Sequence, residues 1–253
     1  MMREDLESAQ KGGHVGKMTR GTDVLTGRDF WDLTWPKYFE KYKKAFPRQA
    51  YYVYFVTGKP TGGVLEIGAG SFRDIACLNR WGIKGIGVDF SFQAVKLARK
   101  VFPLCGGKFL VSDGFNLCFK DKSFEVSYHN GLFVCFEDDS KIRELLNEQI
   151  RVTKRIIICT VHNKVNKKLT WEFKRRANKE RLYAIRFFEA SELLALMRPF
   201  FKRVKVYPFG FSPFDRFLRM SRIPLLARII YLLTYKFWPL SRCERIMVVG
   251  YLE

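Results

Sequence analysis

The chain has 253 residues, 47% of them hydrophobic and 28% charged, a composition that suits one sizeable folded core and excludes a wholly disordered chain. Lysine and arginine number 45 against 25 aspartate and glutamate, a net charge of +20. The excess is lopsided: residues 151–253 carry 23 basic and 7 acidic side chains, whereas residues 1–150 carry 22 and 18. The later part is therefore predicted to face something anionic, either a nucleic acid or a membrane surface.

The polar opening Met1–Asp5 lacks an apolar core, so no secretory leader is expected and the protein is predicted to be cytoplasmic. No uncharged run approaches the ~20 apolar residues of a spanning helix; the longest candidate, 223–238, is interrupted by Arg228 and Lys236. The six cysteines (Cys77, Cys105, Cys118, Cys135, Cys159, Cys243) form no C-x-x-C pair, and His14, His129 and His162 do not stand at ligand spacing from them. They are predicted to be buried reduced thiols, with no metal site.

In chain order, residues 1–28 are polar without a sustained period and are predicted to stay mobile until a ligand or partner orders them. From Phe30 to Tyr54 a helical pattern carries Trp31, Trp35, Tyr38, Phe39, Tyr42 and Phe46, with a break at Pro47. Such a stripe is predicted to be a packing face, and 1–60 together a flexible segment followed by an aromatic helical cap. After the turn at Gly58–Gly63, residues 61–253 form a strand–helix alternation. Strands are predicted at Val64–Ile67, Ile86–Val88, Lys108–Val111, Phe124–Tyr128 and Ile156–Val161, with helices over 74–81, from Ser91 onward and over 142–152. Alternation of this kind argues for an α/β fold with a parallel sheet covered on both faces.

The sharpest local signal is Val64-Leu65-Glu66-Ile67-Gly68-Ala69-Gly70-Ser71. A strand entering a glycine turn and then a helix lets backbone approach a ligand closely at the carboxyl edge of a sheet. A dinucleotide site wants a third glycine at position 73, where this chain has arginine, and Glu66 would repel a diphosphate. A carboxylate there suits a cationic ligand. Asp89 ends the second strand, where it can accept from both hydroxyls of a ribose, and Asp113 follows the third, within reach of an adenine amino group. Adenine, free ribose, an amino acid end and no phosphate describe S-adenosylmethionine.

On these residues the chain resembles the class I S-adenosylmethionine-dependent methyltransferases, in particular the small-molecule "type 11" branch that includes quinone-biosynthesis enzymes. The matching stretches are VLEIGAGSFRD (64–74), GIGVDFSFQAVKLARK (85–100), VSDGFNLCFKDKSFEVSYHNGLFVCFED (111–138) and IIICTVHN (156–163). The resemblance implies a Rossmann-like, seven-stranded, mostly parallel sheet with an antiparallel last strand, strands six and seven falling at Lys202–Tyr207 and Arg245–Tyr251 after a helix at Glu189–Met197. It assigns Glu66, Gly68, Ala69 and Gly70 to the methionine end of the cofactor, Asp89 and Phe90 to the ribose, and Asp113, Gly114 and Phe115 to the adenine. His129, with Asn130 and Gly131, would border the methyl-bearing sulfur. Three positions depart from the pattern: Phe72 stands for a common glycine and is expected to narrow the turn, Cys118 for a proline, and Cys135 for a histidine.

Methyl transfer to a hydroxyl or amine needs a proton acceptor near the sulfur, and His129 is the candidate base, with a ring that merely packs as the alternative. His162 is a weaker candidate. Two inserts bear on the acceptor. The run 164–188 is basic around Trp171 and Phe173, fit for phosphate on a lipid-linked or glycan substrate, for RNA, or for solvent. The insert 208–244 contains an amphipathic helix whose apolar arc is Leu225, Leu226, Ile229, Ile230, Leu232, Leu233 and Phe237, opposite Arg228, Tyr231, Thr234 and Tyr235. With Arg216, Arg219, Arg222, Arg242, Arg245 and Trp238 around it, this helix is predicted either to lie in an anionic membrane interface or to pack on protein. The expected function is methylation, favouring oxygen, of a small-molecule, lipid-linked or glycan acceptor; an RNA methyltransferase and a non-catalytic scaffold of the same fold are the alternatives.

Overall fold

The computed structural model describes residues 23–221 and 223–252; most of the N-terminal segment predicted to be mobile, and Arg222, lie outside them. Seven strands form one sheet: β1 (Val64–Ile67), β2 (Gly85–Asp89), β3 (Phe109–Val111), β4 (Phe124–Asn130), β5 (Thr153–His162), β6 (Arg203–Phe211) and β7 (Cys243–Tyr251). Their order is β3-β2-β1-β4-β5-β7-β6. The first five are parallel, and β7 runs antiparallel between β5 and β6. This is the Rossmann-like sheet with a reversed last strand.

Helices α1 (Arg28–Lys44) and α2 (Arg48–Thr57) precede the sheet, and α3 (Arg73–Arg80), α4 (Phe92–Val101) and α5 (Asp139–Val152) connect its parallel strands. After β5 come α6 (Lys167–Ala177) and α7 (Ala190–Met197); α8 (Ser212–Ser221) and α9 (Pro224–Thr234) lie between β6 and β7. Every residue of β1 is buried, as expected of a central strand with helices on both faces. One core gathers α2, α3, α4, α8 and α9 on one face of the sheet, and a second gathers α5 and α7 on the other.

Element boundaries moved where side chains cap or pair. Ser91 caps α4 as predicted, its hydroxyl accepting from Ala94 N at 3.1 Å. Helix α5 starts at Asp139 because the Asp138 carboxylate accepts from Ser140 N at 2.7 Å. The sixth strand continues through Pro208 to Phe211, which an edge strand tolerates because one side of its backbone needs no donor. The insert between strands six and seven is therefore 212–242. Among the cysteines, Cys77, Cys135, Cys159 and Cys243 are buried, but Cys118 is exposed and Cys105 half-buried, which corrects the expectation for those two.

Phe72 adopts a left-handed conformation, φ 56°, at a cost of about 1–2 kcal/mol for a residue with a Cβ. Its fully buried ring packs 4.7 Å from Phe109, a gain of about 2 kcal/mol that offsets the strain. The ring goes into the core and does not narrow the turn.

Helix α9 is turned opposite to an ordinary amphipathic helix. Ala227 and Tyr231 are its buried residues, and Tyr231 donates to Pro208 O at 3.1 Å while Arg228 donates to Phe55 O at 3.1 Å. The face classed as polar by sequence thus packs on α2 and β6. Leu225, Leu226, Ile229, Leu232 and Leu233 are exposed, Leu233 by 70%, and Phe237 just beyond by 84%. No described helix is long and apolar enough to cross a membrane.

Candidate active site

The strand order reverses between β1 and β4, and in open α/β sheets the crevice at that switch, beyond the carboxyl ends of the strands, is where ligands bind. A cavity of about 270 Å³ opens there. Glu66, Gly68, Ala69 and Gly70 line it from the end of β1, Asp89 and Phe90 from β2, Asp113, Gly114 and Phe115 from the loop after β3, and Asn130 and Gly131 from β4.

Gly68 and Gly70 turn the chain with φ of 64° and 55°, values that favour residues without a Cβ. A Cβ on Gly70 would also stand 2.3 Å from the Trp35 ring. The Gly70 N–H donates to Asp89 Oδ2 at 2.8 Å and Ser91 N to Oδ1 at 2.9 Å. Those bonds fix the carboxylate and leave each oxygen with further acceptor capacity. Burial pushes the Asp89 pKa up to about 6 despite the two donors. Glu66 is buried as well; Ile75 N donates to it at 3.1 Å, and burial with the neighbouring Asp74 charge raises its pKa well above the ordinary carboxylate value. Asp74 in turn pairs with Arg73 Nε at 3.3 Å. Asp113 is exposed and accepts from Phe115 N at 3.0 Å.

His129 does not join them. Its ring is fully buried against Phe133, centroids 4.1 Å apart, with no partner on either nitrogen among the described residues. Burial pulls its pKa down to about 3. The imidazole belongs to the core and has no route to an acceptor's proton, so the expected base is corrected. His162, the weaker candidate, lines the cavity instead. Its ring is buried against Phe173 and Phe187, and burial, followed by the charges of Arg245 and Arg48, lowers its pKa well below the ordinary value.

The side chains missed from sequence come mainly from α1. Trp31, Trp35, Tyr38 and Tyr42 line the cavity, so the aromatic stripe is a ligand wall as well as a packing face; Phe39 alone of α1 is buried. Asp32 latches α1 across the N-terminus of α4, accepting from Ser91 Oγ at 2.6 Å and Gln93 N at 3.0 Å. Tyr38 donates its hydroxyl proton to Glu180, joining α1 to the 164–188 segment, which contributes Phe173, Leu182, Tyr183 and Ile185. The spacing 31, 35, 38, 42 marked one helix face, but nothing local showed that this face would meet the sheet edge.

A family model described as "Methyltransferase domain" matches residues 64–155, the span that supplies the turn, the three acidic side chains and strands β1 to β4. Residues 64–155 thus carry the sequence pattern of a methyltransferase domain. With it comes the cofactor S-adenosylmethionine, and the residues fit that group: a buried carboxyl at Glu66 for a cationic end, a prefixed carboxylate at Asp89 for ribose hydroxyls, and glycines where a Cβ would fill the cradle.

No curated protein matches this chain in sequence. Among solved structures it is similar to an S-adenosylmethionine-dependent methyltransferase of Thermotoga maritima, described as a possible histamine N-methyltransferase. That likeness has 20% identity and a TM-score of 0.57, covering 92% of this chain and 97% of that one. A second, from Archaeoglobus fulgidus, gives 16% identity and a TM-score of 0.59, covering 84% and 97%. Geranyl diphosphate C-methyltransferase of Streptomyces coelicolor A3(2), in complex with S-adenosyl-L-homocysteine, gives 13% and 0.52, covering 81% and 78%. At these identities the likeness is one of fold.

Proposed function

We propose that this methyltransferase acts on an oxygen of a small, lipid-linked or glycan-type acceptor at an anionic membrane surface. When bound, S-adenosylmethionine supplies a methyl group already activated by a sulfonium. The remaining task of the chain is orientation, which can contribute several kcal/mol of the barrier. Asp89, Asp113 and Glu66 hold the cofactor's polar groups, and the end of β4, Asn130 and Gly131, borders the acceptor side. Trp35, Tyr38 and Tyr42 exclude water from above. An acceptor hydroxyl must lose its proton; His162 is the cavity-lining imidazole, but burial and the guanidiniums of Arg245 and Arg48 disfavour its protonated form, so it serves to orient the hydroxyl as a neutral hydrogen-bond acceptor while the proton leaves to solvent.

The observation that carries the membrane part is the orientation of α9. A row of leucine and isoleucine left exposed on a helix whose other face packs on protein is a contact surface rather than scattered apolar residues. Arg216, Arg219, Lys236 and Arg242 are exposed around it, a rim complementary to anionic lipid at about 1 kcal/mol each. The test is co-sedimentation with phosphatidylcholine vesicles containing or lacking phosphatidylglycerol. Wild type should sediment with the anionic vesicles, and Leu226→Asp/Ile229→Asp/Leu233→Asp should not. Failure of wild type to sediment, combined with salt-sensitive retention of RNA, would favour an RNA substrate instead.

A further inference from the structure

The acceptor half of the cavity contains a cation that forms no ion pair with an acidic side chain among the described residues. Arg245 is the third residue of β7, pairing in register with His162 of β5 and Phe209 of β6, and lines the cavity. Among the described residues the one hydrogen bond of its side chain goes to the neutral Asn130 side chain. The nearby acids are occupied elsewhere: Glu244 and Asp215 pair with Arg48 at 2.7 and 2.6 Å, and Asp74 with Arg73. Burial and the like charges of Arg48 and Arg73, only partly opposed by the neighbouring Glu244, lower the Arg245 pKa to about 10. A guanidinium withdrawn from water without an anion is unfavourable, and its planar fork of donors matches a carboxylate or a phosphate. Around it, Tyr42, Phe173 and Tyr183 form walls suited to an apolar body.

We propose that the methyl acceptor is an organic anion, its carboxylate or phosphate gripped by Arg245 beside Asn130 and its apolar body held between the aromatic side chains of α1 and of the 164–188 segment. This rests on the methyltransferase reading, which places the cofactor on the opposite side of β4. The carboxylate and phosphate forms share one chemistry and are separated by the choice of probe.

The experiment is calorimetric titration of the full chain, first with S-adenosylhomocysteine and then, in the saturated protein, with benzoate, phenyl phosphate and the neutral isostere benzamide. Benzoate or phenyl phosphate should bind about tenfold or more tightly than benzamide, the preference expected of a charge-assisted hydrogen bond, and the better of the two identifies the anion. Arg245→Gln should abolish that preference without changing affinity for S-adenosylhomocysteine, and Arg245→Lys should restore part of it. Equal binding of benzamide, or no binding of either anion, overturns the proposal, and these wild-type results do not depend on the variants folding. A variant that loses affinity for S-adenosylhomocysteine instead would assign the guanidinium to the cofactor's own carboxylate, also overturning it. No binding of S-adenosylhomocysteine by wild type would refute the methyltransferase reading itself, a separate outcome.

Discussion

Replacing Gly70 by alanine tests whether helix α1 is built against the cofactor turn. The substitution puts a Cβ on a residue at φ 55°, costing about 1–2 kcal/mol of backbone strain. It also drives that Cβ to 2.3 and 2.4 Å from Trp35 Cζ2 and Cη2, an overpacking that costs about 1–3 kcal/mol if the helix gives way. Trp35 cannot swing aside freely, because it stacks on Trp31 at 5.9 Å and meets Phe39 and Tyr42 edge-on. Gly70→Ala should therefore lower unfolding free energy by about 2–5 kcal/mol in all. Combining it with Trp35→Ala should recover the clash but leave the strain, so the double variant is more stable than the sum of the two losses by about 1–3 kcal/mol. Urea denaturation of the four proteins completes the cycle. Losses that add to within about 0.5 kcal/mol would show that the ring and the turn do not touch, and the placement of α1 against the glycine turn would be wrong.

Two titrations probe buried groups in the same region. With Asp89 at about 6 in the folded chain, roughly one-tenth of it is ionised at pH 5 and nine-tenths at pH 7, so affinity for S-adenosylhomocysteine should rise about tenfold over that range. Asp89→Ala should flatten the profile and weaken binding at pH 7 by about 1.5–3 kcal/mol; a flat wild-type profile would remove the carboxylate from the ribose. Because its folded pKa lies above the unfolded value, the same group favours the ligand-free fold most below about pH 4, and that contribution is lost as pH rises through about 6. The buried ring of His129, at about 3, should show no imidazole titration by nuclear magnetic resonance between pH 8 and 5, and a midpoint near the ordinary ~6.5 would return it to the candidate bases.

The sheet was legible because its central strands are short, mostly apolar stretches, β1 running into Gly68 and β2 ending at Asp89, a pattern that buried parallel strands produce on their own. The cofactor half of the cavity was legible for the same reason: Glu66, Gly68, Gly70, Asp89 and Asp113 each lie within a few residues of a strand end. Helix α9 was not, since a hydropathic wheel assumes that apolar residues face the protein. Here Tyr231 and the Arg228 stem reach backbone carbonyls of β6 and α2, and those contacts turn the leucines outward. Arg245 and the α1 aromatics were missed because they reach the cavity from strand seven and from before strand one, through pairings that no local spacing encodes. His129 misled by position: its neighbour Asn130 lines the cavity, and in a strand adjacent side chains point to opposite faces.

A crystal structure with S-adenosylhomocysteine is the sharpest test of the cofactor site: the ribose hydroxyls should lie on Asp89, the adenine beside Asp113 and the amino group toward Glu66. Density for the ligand anywhere else, or no density at the β1–β4 crevice under saturating ligand, would contradict that placement.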